Sequence, residues 1–168
     1  MIKQVSYPMT ITTDDREYLK RCVALAEAAV EAGDEPFGSI LVDGNGHVLR
    51  EERNLVGGGD ATQHPEFALA RWAAQNLTPE ARRHATVYTS GEHCPMCAAA
   101  HAWVGLGRIV YASSMDQLVA WLGELGASAP PVAALSINAI APDVPVDGPD
   151  AELAPAVRAL HARAVRRV

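Results

Sequence analysis

Cysteine is scarce in this chain: three residues, Cys22, Cys94 and Cys97, in 168. An odd and low count excludes the disulfide framework that small secreted domains rely on. Long apolar runs are missing too. None reaches the roughly 18 residues that a membrane span needs. The amino-terminal Met1-Ile2-Lys3-Gln4-Val5-Ser6 has no apolar signal core. These absences predict a cytoplasmic protein with no membrane partner. Positive charge is also in short supply. The net charge is −6, whereas proteins that live on nucleic-acid phosphates carry a basic footprint, so no nucleic-acid partner is expected. The one basic cluster, Arg158, Arg163, Arg166 and Arg167, reads as cations complementing the dipole of a closing helix.

What is present suits a single α/β domain over residues 1–168, long enough to bury a core without staples. Residues 13–33 read as a helix with Thr13 as N-cap and Asp14 and Asp15 in its first turn. Leu19, Cys22, Ala26 and Ala29 recur at helical spacing, which places Cys22 in the core. Phe37–Val42 and His47–Asn54 flank Asp43-Gly44-Asn45-Gly46 as a hairpin. Residues 57–63 (GGGDATQ) form a loop with no phosphate-loop Lys. Helices follow at 65–77, 95–105 and 115–125, with strands at 86–89 and 108–112. The segment PPVAALSIN leads into a last strand. A Pro-rich linker at 142–149 precedes a helix over 152–168. Alternating helix and strand imply a mixed sheet covered on both faces. The motif-bearing core spans about 13–140, and the linker and closing helix 141–168.

The chemistry gathers in two short motifs. Cys94-Pro95-Met96-Cys97 stands at a helix start, where two thiols three positions apart share a face and the helix dipole lowers their pKa. That suits either a metal or a redox dithiol of the glutaredoxin type. Thirty residues upstream, His64-Pro65-Glu66 stands at another loop-to-helix junction. One imidazole, two thiolates and an open fourth position make the catalytic zinc pattern. Glu66 lies about 200° around the helix from His64, so it serves the bound water rather than the metal.

The sequence H-x-E followed by C-x-x-C resembles the zinc-dependent cytidine-deaminase-like superfamily, whose signature is H-x-E then P-C-x-x-C. The resemblance extends to PFGSILVDGNGHVL, NLVGGGDATQHPE, TSGEHCPMC and GRIVYA, covering about residues 13–115. Phe37-Gly38, the Asn54-to-His64 spacing and the position of Trp103 look most like guanine deaminases, with transfer RNA adenosine deaminases close behind. The resemblance implies a three-layer α/β/α sandwich around a central mixed five-stranded sheet. It implies Zn2+ held by His64, Cys94 and Cys97, Glu66 as proton shuttle, and a homodimer. It also assigns Asn54 a hydrogen bond to the base, Phe37 a packing contact and Glu92 the positioning of the second zinc loop, while Trp103 is expected either on the pocket wall or in the core. His101 is then a pocket-wall or interface residue, and His47, His84 and His161 are surface residues.

Two positions depart from the family pattern. Pro65 stands where a small residue usually offers its N–H to the base, and proline has none. His93 replaces the usual Pro before the first Cys and is expected at the substrate or the pocket rim. Both point to a base other than guanine itself. The expected activity is hydrolytic deamination of a free aminated base, releasing ammonia: guanine-type, a modified purine, an aminopyrimidine or an amino-triazine. The alternatives are adenosine deamination in transfer RNA and, from another class, a glutaredoxin-like dithiol protein.

Overall fold

The computed structural model describes residues 10–167, so the amino-terminal hexapeptide and Val168 lie outside it. Helix α1 (Thr13–Glu31) opens on a reciprocal cap. Thr12 Oγ1 accepts from the Asp15 N–H at 3.1 Å, and the Asp15 carboxylate accepts from the Thr12 N–H at 2.9 Å. The cap is therefore Thr12, one residue before the expected Thr13. Its stripe of Leu19, Cys22, Ala26 and Ala29 is fully buried.

The hairpin forms as expected, with β1 (Gly38–Val42) antiparallel to β2 (Val48–Arg53). Asp43 Oδ1 fixes the turn by accepting from the N–H groups of Asn45 and His47. On its other edge β1 pairs antiparallel with β3 (Thr86–Gly91). β3 runs parallel to β4 (Ile109–Ser113), and β4 parallel to β5 (Val146–Asp147). The sheet order is β2-β1-β3-β4-β5. The remaining helices are α2 (Pro65–Asn76), α3 (Pro79–His84), α4 (Pro95–Val104), α5 (Met115–Glu124), α6 (Ile137–Ile140) and α7 (Ala154–Val165).

Strand periodicity decides the layers. Ile40 and Val42 face α1 and α7, while Leu41 faces α2 with Leu69 and Ala73. Helices α1 and α7 cover one side of the sheet and α2 and α4 the other, which is the expected three-layer sandwich. A side chain on Gly38 would collide with the Cys22 carbonyl and Leu25. Glycine there lets α1 lie directly against the head of β1, beside Phe37.

A buried ion cluster ties the first helix to the far strands. Arg108 donates to both carboxylate oxygens of Asp15 at 2.9 and 3.0 Å, and to Asp147 Oδ2 at 2.7 Å. The Tyr88 hydroxyl adds a bond to Asp15 Oδ1 at 2.7 Å. In the basic cluster at the end of the chain, Arg158 pairs with Glu124 and Arg163 with Glu27 on the surface.

The last strand is not where the sequence suggests. Residues 130–136 run irregularly into α6, because Pro130 and Pro131 have no N–H for a ladder. The fifth strand is instead Val146–Asp147, inside the expected linker, where the Ile109 N–H donates to the Pro145 carbonyl at 2.9 Å. Helix α3 and a short 3-10 turn at Val56–Gly58 were not expected.

Candidate metal centre and active site

Helices α2 and α4 pack side by side, so their N-terminal ends meet. His64 is the N-cap of α2 and Cys94 that of α4. Each has extended backbone and is followed by a proline, Pro65 and Pro95, at the first helical position. A residue before proline is confined to extended conformations, so these ligand backbones are set by the sequence. Cys97 comes three residues into α4 and turns back to the same point.

Nδ1 of His64 lies 3.6 Å from Cys94 Sγ and 3.6 Å from Cys97 Sγ, and the three donor atoms fall within 4.8 Å of one another. A tetrahedral zinc bonded to sulfur and nitrogen at its ordinary distances holds them about 3.5 Å apart. The donor set and its spacing therefore fit zinc, with a fourth position left over. The hydrogen bond from Cys97, reinforced by His64, pushes the Cys94 thiol down to about 4. The same bond pushes Cys97 up. Metal binding requires both sulfurs as thiolates and so releases their protons.

Glu66, on the first turn of α2, is buried. Its Oε1 lies 3.0 Å from Ser39 Oγ and 2.9 Å from Thr89 Oγ1, and those hydroxyls are 2.8 Å from each other. Ser39 and Thr89 are partners in the β1–β3 register, so the sheet itself builds this triangle. Burial raises the Glu66 pKa and the hydrogen bond from Thr89 opposes it, leaving a net rise. Sequence reasoning missed both hydroxyls. The available signal was a polar residue at an inward position of an otherwise apolar strand.

Glu92 holds the second zinc loop, as expected. Its Oε2 accepts from the Met115 N–H at 2.7 Å and its Oε1 from the Ile137 N–H at 2.9 Å. One carboxylate thus ties the loop to the starts of α5 and α6.

A cavity of about 840 Å³ opens beside His64, Glu66 and Cys94. Phe37 forms part of its wall. The irregular stretch 127–134, the end of α7, Leu118 and Leu122 of α5 and the carboxylates Asp34, Glu35 and Glu92 line it as well. Asn54, Pro65, His93 and Trp103 do not border it. Asn54 is fully buried and engaged: its carbonyl accepts from the Glu35 and Val56 N–H groups at 3.3 and 3.0 Å. Pro65 is buried at the head of α2.

His93 faces away from the rim and packs edge-to-face on His101, with ring centroids 5.4 Å apart. Its neighbour Cys94 has extended backbone, so the two side chains diverge. Burial pushes the His93 pKa well below the ordinary value. Trp103 is 87% exposed. It lies six residues after Cys97, about 240° around α4, and so projects from the far side of the helix. His101 is buried and bonded to the Gly107 carbonyl at 2.7 Å. His47 and His84 are exposed as expected. His161 is not: it is buried and borders the cavity.

Known proteins resemble this chain in both sequence and fold. A probable cytosine deaminase from Schizosaccharomyces pombe is 35% identical over 112 residues, covering 65% of this chain and 66% of that protein. Guanine deaminase from Bacillus subtilis is 34% identical over 97 residues, 57% of this chain and 62% of its own length. A transfer-RNA-specific adenosine deaminase from Haemophilus influenzae is 31% identical over 101 residues, 60% of this chain and 58% of its own. The chain thus spans slightly under two thirds of each relative. The solved guanine deaminase from Nitrosomonas europaea shares the fold, with a TM-score of 0.67 at 17% identity over 96% of this chain and 89% of that one. Residues 12–113, which carry both zinc motifs, match the cytidine and deoxycytidylate deaminase zinc-binding region, and the chain belongs to that deaminase family.

Proposed function

We propose that the protein is a zinc-dependent hydrolytic deaminase of a free aminated nucleobase or related heterocycle, releasing ammonia. The observation that carries this reading is the placement of Glu66. It is buried, anchored through one carboxylate oxygen, and borders the same cavity as the metal-ligating His64 and Cys94.

Zinc, when bound by His64, Cys94 and Cys97, makes water acidic enough to supply a nucleophile near neutral pH. The chain's own residues do the rest. Ser39 and Thr89 fix Oε1 of Glu66, which leaves Oε2 to work. Glu66 takes the proton of the attacking water and delivers it to a ring nitrogen of the base. It then takes the proton of the hydroxyl now on the ring carbon and passes it to the amino group, so that the carbon–nitrogen bond breaks and ammonia leaves as the carbonyl forms. Its raised pKa suits a group that must both accept and give back a proton. Phe37 provides an apolar surface for a flat ring, and Asn54 positions the Glu35 and Val56 segment beside it.

The cavity wall favours a free base over transfer RNA. Its surface is mainly apolar, the 127–134 stretch and α7 form its sides, and the net charge of −6 gives a folded nucleic acid little purchase. The test is ammonia release from guanine, adenine, cytosine, modified purines, amino-triazines and transfer RNA, with Glu66→Ala as the blank. Turnover of a free base and none of transfer RNA is expected. Turnover of transfer RNA alone would replace this reading with the adenosine one.

A further inference from the structure

The end of α7 brings one polar ring to the cavity. His161 is 4% exposed and borders the same space as Glu66. Its ring lies 5.3 Å from Phe37 at 72° and 6.1 Å from Trp121 at 44°. Val157 and Leu160 flank it on the buried face of the helix. Neither ring nitrogen has a protein hydrogen-bond partner among the described residues, and neither is among the fully buried atoms left unpaired, so the polar edge of the ring reaches the cavity.

An imidazole so placed keeps a donor and an acceptor that no protein group uses, where a phenylalanine or leucine would offer only packing. Residues of this kind, polar and convergent on a mainly apolar cavity, orient ligands.

We propose that His161 is a substrate-recognition residue, making one hydrogen bond from α7 to a ring nitrogen or exocyclic oxygen of a flat heterocycle held against Phe37. This rests on the deaminase reading above and narrows its substrate. Burial pushes the His161 pKa down to about 4, so at neutral pH the ring offers a donor and an acceptor but no charge. Arg167 also borders the cavity and gives one N–H to the Val30 carbonyl. An uncharged His161 suits a neutral heterocycle, the substrate class this contact selects.

The test compares His161→Phe, which keeps a flat ring without hydrogen bonding, with His161→Asn and His161→Gln, which restore a donor and acceptor near one or the other ring nitrogen. Readouts are kcat and KM on the best free base, zinc content and Tm. For His161→Phe we expect kcat/KM to fall about tenfold to a hundredfold, almost wholly through KM. Zinc content stays the same and Tm is equal or higher. One of the two amide variants recovers most of the loss. Wild-type KM in His161→Phe, or a loss that only tracks a lowered Tm, overturns the assignment while leaving the deaminase reading intact. A wild type that releases ammonia from no base overturns both. Should the phenylalanine variant fail to fold, His161→Leu is read the same way.

Discussion

Ser39 and Glu66 stand 27 positions apart in the chain, on β1 and α2, yet Ser39 Oγ meets Glu66 Oε1 at 3.0 Å inside the sheet-to-helix layer. A hydrogen bond to a charged group is worth about 1.5–3 kcal/mol. Ser39→Ala should therefore lower kcat about tenfold or more, with KM and zinc content little changed. Thr89→Val should act in the same direction. Steady-state kinetics on the best base checks this, and an unchanged kcat in both variants would remove the triangle from the mechanism.

Glu66→Gln keeps the shape of the side chain and removes its proton chemistry. General acid–base groups contribute roughly 10²–10⁴-fold, so ammonia release should fall at least a hundredfold. Metal analysis should still find one zinc per chain, because the carboxylate is not a ligand. Near-wild-type turnover would be incompatible with the proposed shuttle.

Zinc should stabilise the fold as well as supply chemistry, since its ligands lie at the abutting ends of two packed helices. A ligand at a thousand times its Kd stabilises the native state by about 4 kcal/mol. Adding equimolar zinc to chelator-treated protein should raise Tm by several degrees. The same addition to His64→Ala should do much less. Equal melting curves with and without the metal would contradict this.

Arg108 satisfies two buried carboxylates, Asp15 and Asp147. Removing one partner of a buried pair costs about 3–5 kcal/mol, and Arg108→Ala should lose that much in denaturant unfolding. Burial raises the Asp15 pKa, but the hydrogen bonds from Arg108, Thr12 and Tyr88 outweigh it and hold the carboxyl below its usual value. The folded state therefore binds that proton more weakly than the unfolded chain does. The resulting stability is fully present above about pH 4 and is lost as pH falls through the folded pKa. Asp15→Asn should flatten stability against pH in that acid range. An acid limb as steep as the wild type's would refute the assignment.

The metal centre was legible in the sequence because each half is local. A loop-to-helix junction sets His64 and another sets Cys94 and Cys97, so only their meeting needed the fold. The hairpin was legible for the same reason. What was lost depended on long-range facts. Pro130 and Pro131 moved the fifth strand to Val146, which pairs only because β4 is already in place. The hydroxyl triangle required the register of β1 on β3. Trp103 was misjudged through helix phase, which 100° per residue would have corrected. His161 carried a usable signal, since it follows Ala154, Val157 and Leu160 on the stripe that turns inward.

Pro65 and Pro95 give the site a further property. Each proline denies its preceding metal ligand the helical region even in the unfolded chain. Two of the three donors thus enter folding with fewer backbone states to lose. Part of the affinity for zinc is in this sense written into residues that never touch the ion. Pro65 in particular stiffens the mount of His64, so metal retention depends in part on one pyrrolidine ring.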